Sequence, residues 1–277
     1  MSDTESNALI RSLPWQDRIA ILSVLSVVTI LSWWYLVDMA LGMSGMMGME
    51  GMEGMKSMGS GAMSMMQMPV WTTSYFVSML LMWVIMMVAM MVPTAVPMAL
   101  VFAAISRKAA SQGKTLAPTY TFVSGYIFVW SLFSLAATFS QWGLDKAALL
   151  SPMMVSNSPG FGASLLIAAG LFQLTPMKDA CLKHCRAPAH FISQSWKPGA
   201  WGAFRMGVEH GAYCLGCCWI LMGLLFFGGV MSLVWIAGIT LFVLLEKVMP
   251  FGLLGGRLAG GAMALTGVVM LVTWIYP

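Results

Sequence analysis

The stretch EHGAYCLGCC, which begins at Glu209, places several metal-ligating residue types on one apolar helical pattern. At about 100° per residue, His210, Cys214 and Cys217 fall within about 60° of one another on a helix, and Cys218 follows directly. Thiolate and imidazole are ligands that Zn(II) and Cu(I) take in proteins. The stretch therefore predicts a ligand-bearing face, with Glu209 as a hydrogen-bond acceptor for the histidine or a proton carrier.

A second group of potential ligands lies upstream, in QLTPMKDACLKHCRAP. If a helix continues past Pro176, Cys181 and Cys185 share one face with His184 beside them. All five cysteines and all three histidines of the chain lie between residues 181 and 218. This clustering favours a metal site, with Cu(I) as the first candidate and zinc as the second. Thiol redox chemistry and packing of small apolar residues are the alternatives.

Eleven methionines lie in Gly42–Met68, among glycine, serine and few charges. Glycine at this density predicts a loop and not a stable helix. Thioether sulfur is soft and neutral, so it binds Cu(I) without losing a proton, even in an oxidising compartment. Methionines that recur at every third residue suit capture of one ion by several sulfurs: Met46, Met49, Met52, Met55 and Met58. The alternative is a low-complexity apolar loop on the membrane surface.

The apolar stretch after this Met-rich loop continues the methionine pattern at helical spacing. Met86 and Met90 lie four residues apart and share a face, as do Met87 and Met91. Packing is the ordinary role of such a stripe, and a path for the metal is the alternative. The sequence shows no Ser/His/Asp set, phosphate-binding glycine loop or aspartyl-phosphate motif, which argues against a hydrolase or an ATP-driven pump.

The elements that must position these residues are membrane helices. The 277 residues are 59% hydrophobic and 9% charged, with a mean hydropathy of +0.83, whereas soluble domains carry about 25% charged residues. Windows of about 20 apolar residues predict seven transmembrane helices: 19–41, 73–104, 118–140, 161–178, 205–228, 230–248 and 258–275. We therefore expect an all-α, polytopic membrane protein whose second span kinks or ends at Pro93 and Pro97.

Lysine and arginine predict the orientation of these helices. They concentrate in alternate loops: Arg11, Arg18; Arg107, Lys108, Lys114; Lys178, Lys183, Arg186, Lys197, Arg205; Lys247, Arg257. The positive-inside rule then places the N-terminus in the cytoplasm and the C-terminus outside. Residues 1–18 are then predicted to form a cytoplasmic tail, and residues 19–277 a single membrane domain. The Met-rich loop 42–72 lies outside, and the Cys/His loop 178–205 lies in the cytoplasm, where thiols stay reduced. Glu246, near a helix end, is expected at the interface.

Three motifs occur in order along about half of the chain: WVIMMVAMMVP (Trp83–Pro93), TPMKDACLKHCRAP (Thr175–Pro188) and EHGAYCLGCCWILM (Glu209–Met222). Together they resemble a bacterial family of predicted metal-binding integral membrane proteins of unknown function. The resemblance implies no established activity. It implies a metal site at Cys181, Cys185, His210, Cys214, Cys217 and Cys218. The Met-rich loop is not part of the shared pattern.

The sequence thus predicts a multi-pass protein of the bacterial cytoplasmic (inner) membrane that binds a soft metal, Cu(I) before zinc, for transport, acquisition or delivery. Its expected partners are the lipid bilayer, the metal ion, a membrane cuproenzyme or metallochaperone, and further copies of the chain as an oligomer. Nucleic acid is excluded, because the basic residues are spread over short loops. Two alternatives stay open: a metal- or thiol-dependent membrane redox enzyme, and a structural or assembly subunit of a membrane complex.

Overall fold

The computed structural model describes residues 3–53, 71–113, 115–150, 154–249 and 252–276. Within them the chain is helical, apart from turns and one antiparallel bridge between Leu150 and Ser156. The helices are α1 (Asp3–Ser12), α2 (Trp15–Glu53), α3 (Thr73–Ser111), α4 (Thr119–Lys146), α5 (Pro159–Gln173), α6 (Pro176–Arg186), α7 (Pro188–Ser195), α8 (Gly199–Gly223), α9 (Leu225–Gly228), α10 (Leu233–Val248) and α11 (Gly252–Ile275). The predicted all-α class is confirmed.

Several of these helices are long and apolar enough to cross a membrane. Five in the described part of the chain meet that condition by length and composition: Trp15–Gly42, Thr73–Ser111, Thr119–Lys146, Gly199–Gly228 and Gly252–Ile275. Helices α5 and α6 would add a sixth if they form one broken span, because they meet at an angle of 64°. Helix α10 has 16 residues, fewer than the ~20 that cross the hydrocarbon core.

Two helices run further than the sequence patterns suggest. Helix α3 continues through Pro93 and Pro97 to Ser111, so neither proline ends it; neighbouring helices allow such prolines within membrane helices. Helix α2 continues past Gly42 to Glu53. The predicted loop is therefore helical over its first twelve residues, 42–53, where methionine and glutamate, both good helix formers, alternate with glycines that each cost about 1 kcal/mol.

The break between α5 and α6 has a local cause. Pro176 has no N–H to donate and cannot continue the preceding helix, but it fits the first position of a new one. The Thr175 side chain caps that new helix by accepting a hydrogen bond from the Lys178 backbone N–H at 3.3 Å. Helix α6 thus leaves the axis of α5 and packs against α8.

Helix α8 occupies the centre of the site region, between α4 and α6. Its crossing with α4 is close because glycines meet there: a Cβ on Gly207 would overlap the Phe122 carbonyl oxygen, and one on Gly125 would overlap the Phe204 carbonyl oxygen. Helix α2 lies on α3, where the Trp33 indole N–H donates to the Ala89 carbonyl at 3.2 Å. Helix α10 packs mainly on α3 and α11.

Candidate metal centre

One face of α8 carries four buried potential ligands. His210 is 4% exposed, and Cys214, Cys217 and Cys218 are each exposed by 2% or less. The thiols of Cys217 and Cys218 both donate to the Cys214 carbonyl oxygen at 3.0 Å. The face predicted from the spacing therefore points into the protein, in a core that contains α3, α4 and α10 side chains.

Helix α6 adds its own thiols to this face. The Cys185 thiol lies within hydrogen-bonding range of the thiols of Cys214 and Cys217, and the Cys218 thiol reaches the same two groups. Cys181 also packs on α8, with its Sγ 3.0 Å from the position that a Cβ on Gly216 would take. Two segments about 30 residues apart in sequence thus bring their cysteines together, because Pro176 turns α6 towards α8. We call Cys185, Cys214, Cys217 and Cys218 the thiol cluster.

A lysine and a tyrosine from two further helices complete the surroundings of the thiol cluster. The Lys247 ammonium of α10 donates to Cys214 Sγ at 3.0 Å and to Thr94 Oγ1 at 3.1 Å. The Tyr126 hydroxyl of α4 lies 3.1 Å from Cys214 Sγ and 3.1 Å from the Met91 carbonyl oxygen. Neither residue is predicted from its local pattern, because Lys247 reads only as a loop charge and a tyrosine in an apolar helix carries no local signal.

His210 stands on the edge of the thiol cluster among aromatic rings. Its ring stacks on Tyr126 and Phe122, with centroids 5.5 Å and 6.0 Å away. Within the described residues its Nδ1 is buried without a hydrogen-bond partner, which is uncommon for a buried polar atom. That nitrogen is available to a ligand that enters this part of the core.

Two predicted site residues have other contacts. Glu209 forms ion pairs with Lys197 and, at 3.5 Å, with Arg205, so its carboxylate serves the helix surface. The His184 ring stacks on Tyr213 at 4.2 Å, and its Nδ1 lies 2.9 Å from the Ala180 carbonyl oxygen. Neither residue is in hydrogen-bond contact with the thiol cluster in the described structure.

The methionines of α3 are all interior. Met86, Met87, Met90 and Met91 have no exposed surface and belong to the same core as the cysteines of α8. Met91 is linked to Cys214 through the Tyr126 hydroxyl. In the Met-rich loop, Met46, Met49 and Met52 lie within the last turns of α2, while Met55 and Met58 lie outside the described residues.

A further polar group sits at the other end of the α3 methionines. The Gln141 amide of α4 is fully buried and accepts a hydrogen bond from the Trp83 indole N–H at 2.8 Å. Its Nε2 donates to the sulfurs of Met154 at 3.2 Å and Met79 at 3.7 Å. Sequence periodicity does not predict this group, because Met154 lies in the irregular segment between α4 and α5.

Glu246 differs from its expected interfacial position. It is 5% exposed, and both carboxylate oxygens accept hydrogen bonds from the Lys178 ammonium, at 2.6 and 2.7 Å. Lys178 is itself 2% exposed. The prediction fails because a charge near a helix end can also turn inward when a partner from another helix neutralises it.

The thiol cluster as it stands is hydrogen-bonded and closed. Among the described residues, no group of three or more His, Cys, Asp and Glu side chains is spaced to hold a metal ion. The thiols of Cys217 and Cys218 use their protons in hydrogen bonds to the Cys214 carbonyl oxygen. Metal binding here requires that thiol protons leave and that sulfurs exchange these hydrogen bonds for metal bonds.

The geometry of the site can be set beside known protein families. The family model described as "PpoB2: Copper chaperone" matches residues 80–270, a range that covers α4 to α10 whole, with most of α3 and α11. It therefore includes every cysteine and histidine of the chain. Searches of the curated proteins and of the solved structures each found no match.

Proposed function

The chain belongs to the PpoB2 copper chaperone family, and on that premise we propose that it is a multi-pass protein of the bacterial cytoplasmic membrane that binds Cu(I) as its cargo. The observation that carries the proposal is that the thiol of Cys185, half-buried on α6, lies within hydrogen-bonding range of the buried thiols of Cys214 and Cys217 on α8. Thiolates select Cu(I) over hard cations. Zinc is the second candidate, since it also takes thiolate and imidazole.

The surroundings of the thiol cluster support binding of a monovalent cargo. Cu(I) tolerates few ligands, so a pair of thiolates such as Cys214 and Cys217 holds it. The pair with one Cu(I) carries a single net negative charge, and the Lys247 ammonium beside Cys214 balances it where the dielectric constant is low. His210, with its unpartnered Nδ1, and Cys218 are the two candidates for a third ligand.

The methionines supply a route to the cluster from outside. In the proposed topology the N-terminus is cytoplasmic, the bent pair α5–α6 is the fourth span, and α10 also crosses as the sixth of seven. The Met-rich loop then gathers Cu(I) outside, and the buried sulfurs of α3 lead inward to Met91, next to Tyr126 and Cys214. Thioethers are neutral and exchange Cu(I) readily, whereas thiolates are anionic and bind it more strongly, so the thiol cluster is the tighter, terminal site.

Delivery from the thiol cluster needs an acceptor. A membrane cuproenzyme or a soluble metallochaperone fits, because thiol-to-thiol exchange passes Cu(I) without releasing it to water. Lys183, His184 and His190 line a surface pocket where α6 meets α7, and this is where we place the acceptor. An oligomer of the chain is compatible with the exposed apolar faces of α2 and α11, and lipid covers whatever an oligomer leaves free.

The test is metal content. Full-length protein purified in detergent under anaerobic conditions is loaded with Cu(I), separated from free metal and measured by mass spectrometry. The comparison is with the triple variant Cys214→Ser, Cys217→Ser, Cys218→Ser. The matched control is Met206→Leu, also buried on α8 but in a separate core cluster.

We expect about one copper per chain that is lost in the triple variant and kept in the control. Zinc in place of copper, lost in the same variant, would retain the site and refute the Cu(I) cargo. Equal copper in the wild type and in the triple variant would refute the thiol cluster as the cargo site.

A further inference from the structure

Buried sulfur meets a buried amide at the start of α3, far from the thiol cluster. Met79 and Met154 are 6% and 8% exposed, and Gln141 is fully buried between them. Thr94, beside the thiol cluster, follows Met79 by 15 residues, which is about 22 Å along a helix axis. The Met79 sulfur and the thiol cluster are therefore well separated along the axis of α3.

The orientation of the Gln141 amide is determined by its neighbour. The Trp83 indole only donates, and its N–H points at Gln141 Oε1 at 2.8 Å. The amide NH₂ must then face the other way, where the acceptors within reach are the sulfurs of Met154 and Met79. Thioether sulfur is a weak hydrogen-bond acceptor. The buried NH₂ group of Gln141 therefore has weaker hydrogen bonds than oxygen acceptors would give it. Packing alone would be served better by an apolar residue at position 141.

Met154 also adopts an unusual backbone conformation. Its φ is +56°, in the left-handed region that bulky residues rarely occupy. Two backbone hydrogen bonds hold the segment around Met154. The Met154 carbonyl accepts from the Val230 N–H at 3.5 Å, and the Asn157 N–H donates to the Leu149 carbonyl at 2.9 Å. Strain of this kind persists where the surroundings enforce it, and it concentrates at functional sites. Its effect here is to bring the Met154 sulfur to Gln141.

The position of the pair matches an entrance. Trp71, at the end of the Met-rich loop 42–72, donates its indole N–H to Asp145 Oδ2 at 3.1 Å. Asp145 lies one turn beyond Gln141 on α4. On the other side, Met82 and Met86 follow Met79 on one face of α3 and are buried. Met79 and Met154 thus lie between the end of the Met-rich loop and the buried methionines further along α3.

We propose that Met79 and Met154 form an entry site for a soft monovalent cation, in which the ion replaces the Gln141 N–H groups as the partner of both sulfurs. Both bonds are dative, from neutral sulfur to the ion, so no proton or electron is transferred. Gln141 holds the two sulfurs together before the ion arrives. That the cation is Cu(I) on its way to the thiol cluster rests on the proposed function; the site itself rests on Met79, Met154 and Gln141.

The experiment uses the full chain in detergent with methyl-¹³C methionine, and Ag(I) as a redox-stable soft probe. The methyl resonances of the pair are assigned from Met79→Leu and Met154→Leu, because leucine conserves the volume. Met98→Leu serves as the matched control, since Met98 is equally buried in a separate core cluster. The titration is run in the wild type and in the variant with serine at positions 214, 217 and 218.

We expect silver to shift both methyl resonances in both backgrounds. Leucine at either position should abolish the shift at the other, because one ion needs both sulfurs, and Met98→Leu should leave both shifts unchanged. A shift at one methionine that survives loss of the other would overturn the entry site. So would two unshifted resonances in protein whose other methionines respond.

The thiol cluster is followed in the same wild-type samples by alkylation of cysteine. Thiols protected by silver, with Met79 and Met154 unresponsive, would leave the proposed function standing and refute the entry site. Paired shifts of Met79 and Met154 without protection of the thiols would support the entry site and count against the thiol cluster as the cargo site. The entry site and the thiol cluster can therefore be refuted independently of each other.

Discussion

The ammonium nitrogen of Lys247 lies 3.0 Å from the sulfur of Cys214, although the two residues are on different helices and 33 positions apart. Thr94 of α3 accepts from the same ammonium at 3.1 Å, so Lys247 joins α3, α8 and α10 at one point. A cation beside a cysteine favours the thiolate, which is the form that binds metal. This contact links the packing of α10 directly to the chemistry of the thiol cluster.

Lys247→Met should weaken binding of Cu(I) or Ag(I). The variant keeps an unbranched side chain of similar length and removes the charge that balances the single negative charge of the thiolate pair with Cu(I), so we expect affinity to fall about 10- to 100-fold, as for other residues that support metal ligands. The measurement is a competition titration against a chelator of known affinity. Lys146→Met is the control, because Lys146 lies over the Trp142 ring and should bind metal as the wild type does. Unchanged or tighter binding in Lys247→Met would contradict the role of Lys247.

Glu246→Gln should destabilise the fold. The Lys178–Glu246 pair is almost fully buried, and removal of one partner from such a pair costs about 3–5 kcal/mol because the other charge is left without a counterion. Thermal unfolding in detergent measures the loss. Asp179→Asn breaks the half-exposed pair with Arg257 and should change stability by about 0–1 kcal/mol.

The double variant Lys178→Met, Glu246→Leu separates charge from packing at the same position. It should recover most of the stability lost in Glu246→Gln, since an apolar pair of similar volume leaves no buried charge. A double variant that unfolds as early as the single one would show that shape, and not charge, makes this contact important.

Gly207→Ala should disturb both stability and metal binding. A Cβ there overlaps the Phe122 carbonyl oxygen, so α8 must move away from α4, and Tyr126 loses its place beside Cys214. Gly223→Ala is the control on the same helix, because a Cβ at Gly223 meets nothing within 4 Å. We expect a lower unfolding temperature and weaker Ag(I) binding only for Gly207→Ala. If metal binding stays at the wild-type level in a folded Gly207→Ala protein, the α4–α8 crossing does not position the site.

Reporter fusions test the proposed topology. Alkaline phosphatase is active outside the cytoplasm and green fluorescent protein folds inside it, so the two reporters should give opposite signals at each position. We expect phosphatase activity for a fusion after residue 72 and for one at the C-terminus, and fluorescence for a fusion after residue 113. Fluorescence at the C-terminus would mean an even number of spans, with α10 not crossing the membrane.

The sequence by itself determined the helical, apolar character of the chain and one ligand-bearing face. Both are local properties: hydropathy over about 20 residues reports a span, and the spacing of His210, Cys214 and Cys217 places them on one side of any helix they form. The cysteine and histidine content of residues 181–218 is sufficient to predict which segment carries the thiol cluster.

Tertiary structure decided which distant residues meet that face. The inward turn of Lys247, the contact of Tyr126 with Cys214, the buried pair of Lys178 and Glu246, and the approach of Met154 to Gln141 all join separate helices or an irregular segment. Local periodicity carries no information on such pairs, because their partners are chosen by how the helices pack and bend, as at Pro176. The same charges that predict orientation from the sequence therefore become, once packed, parts of the core.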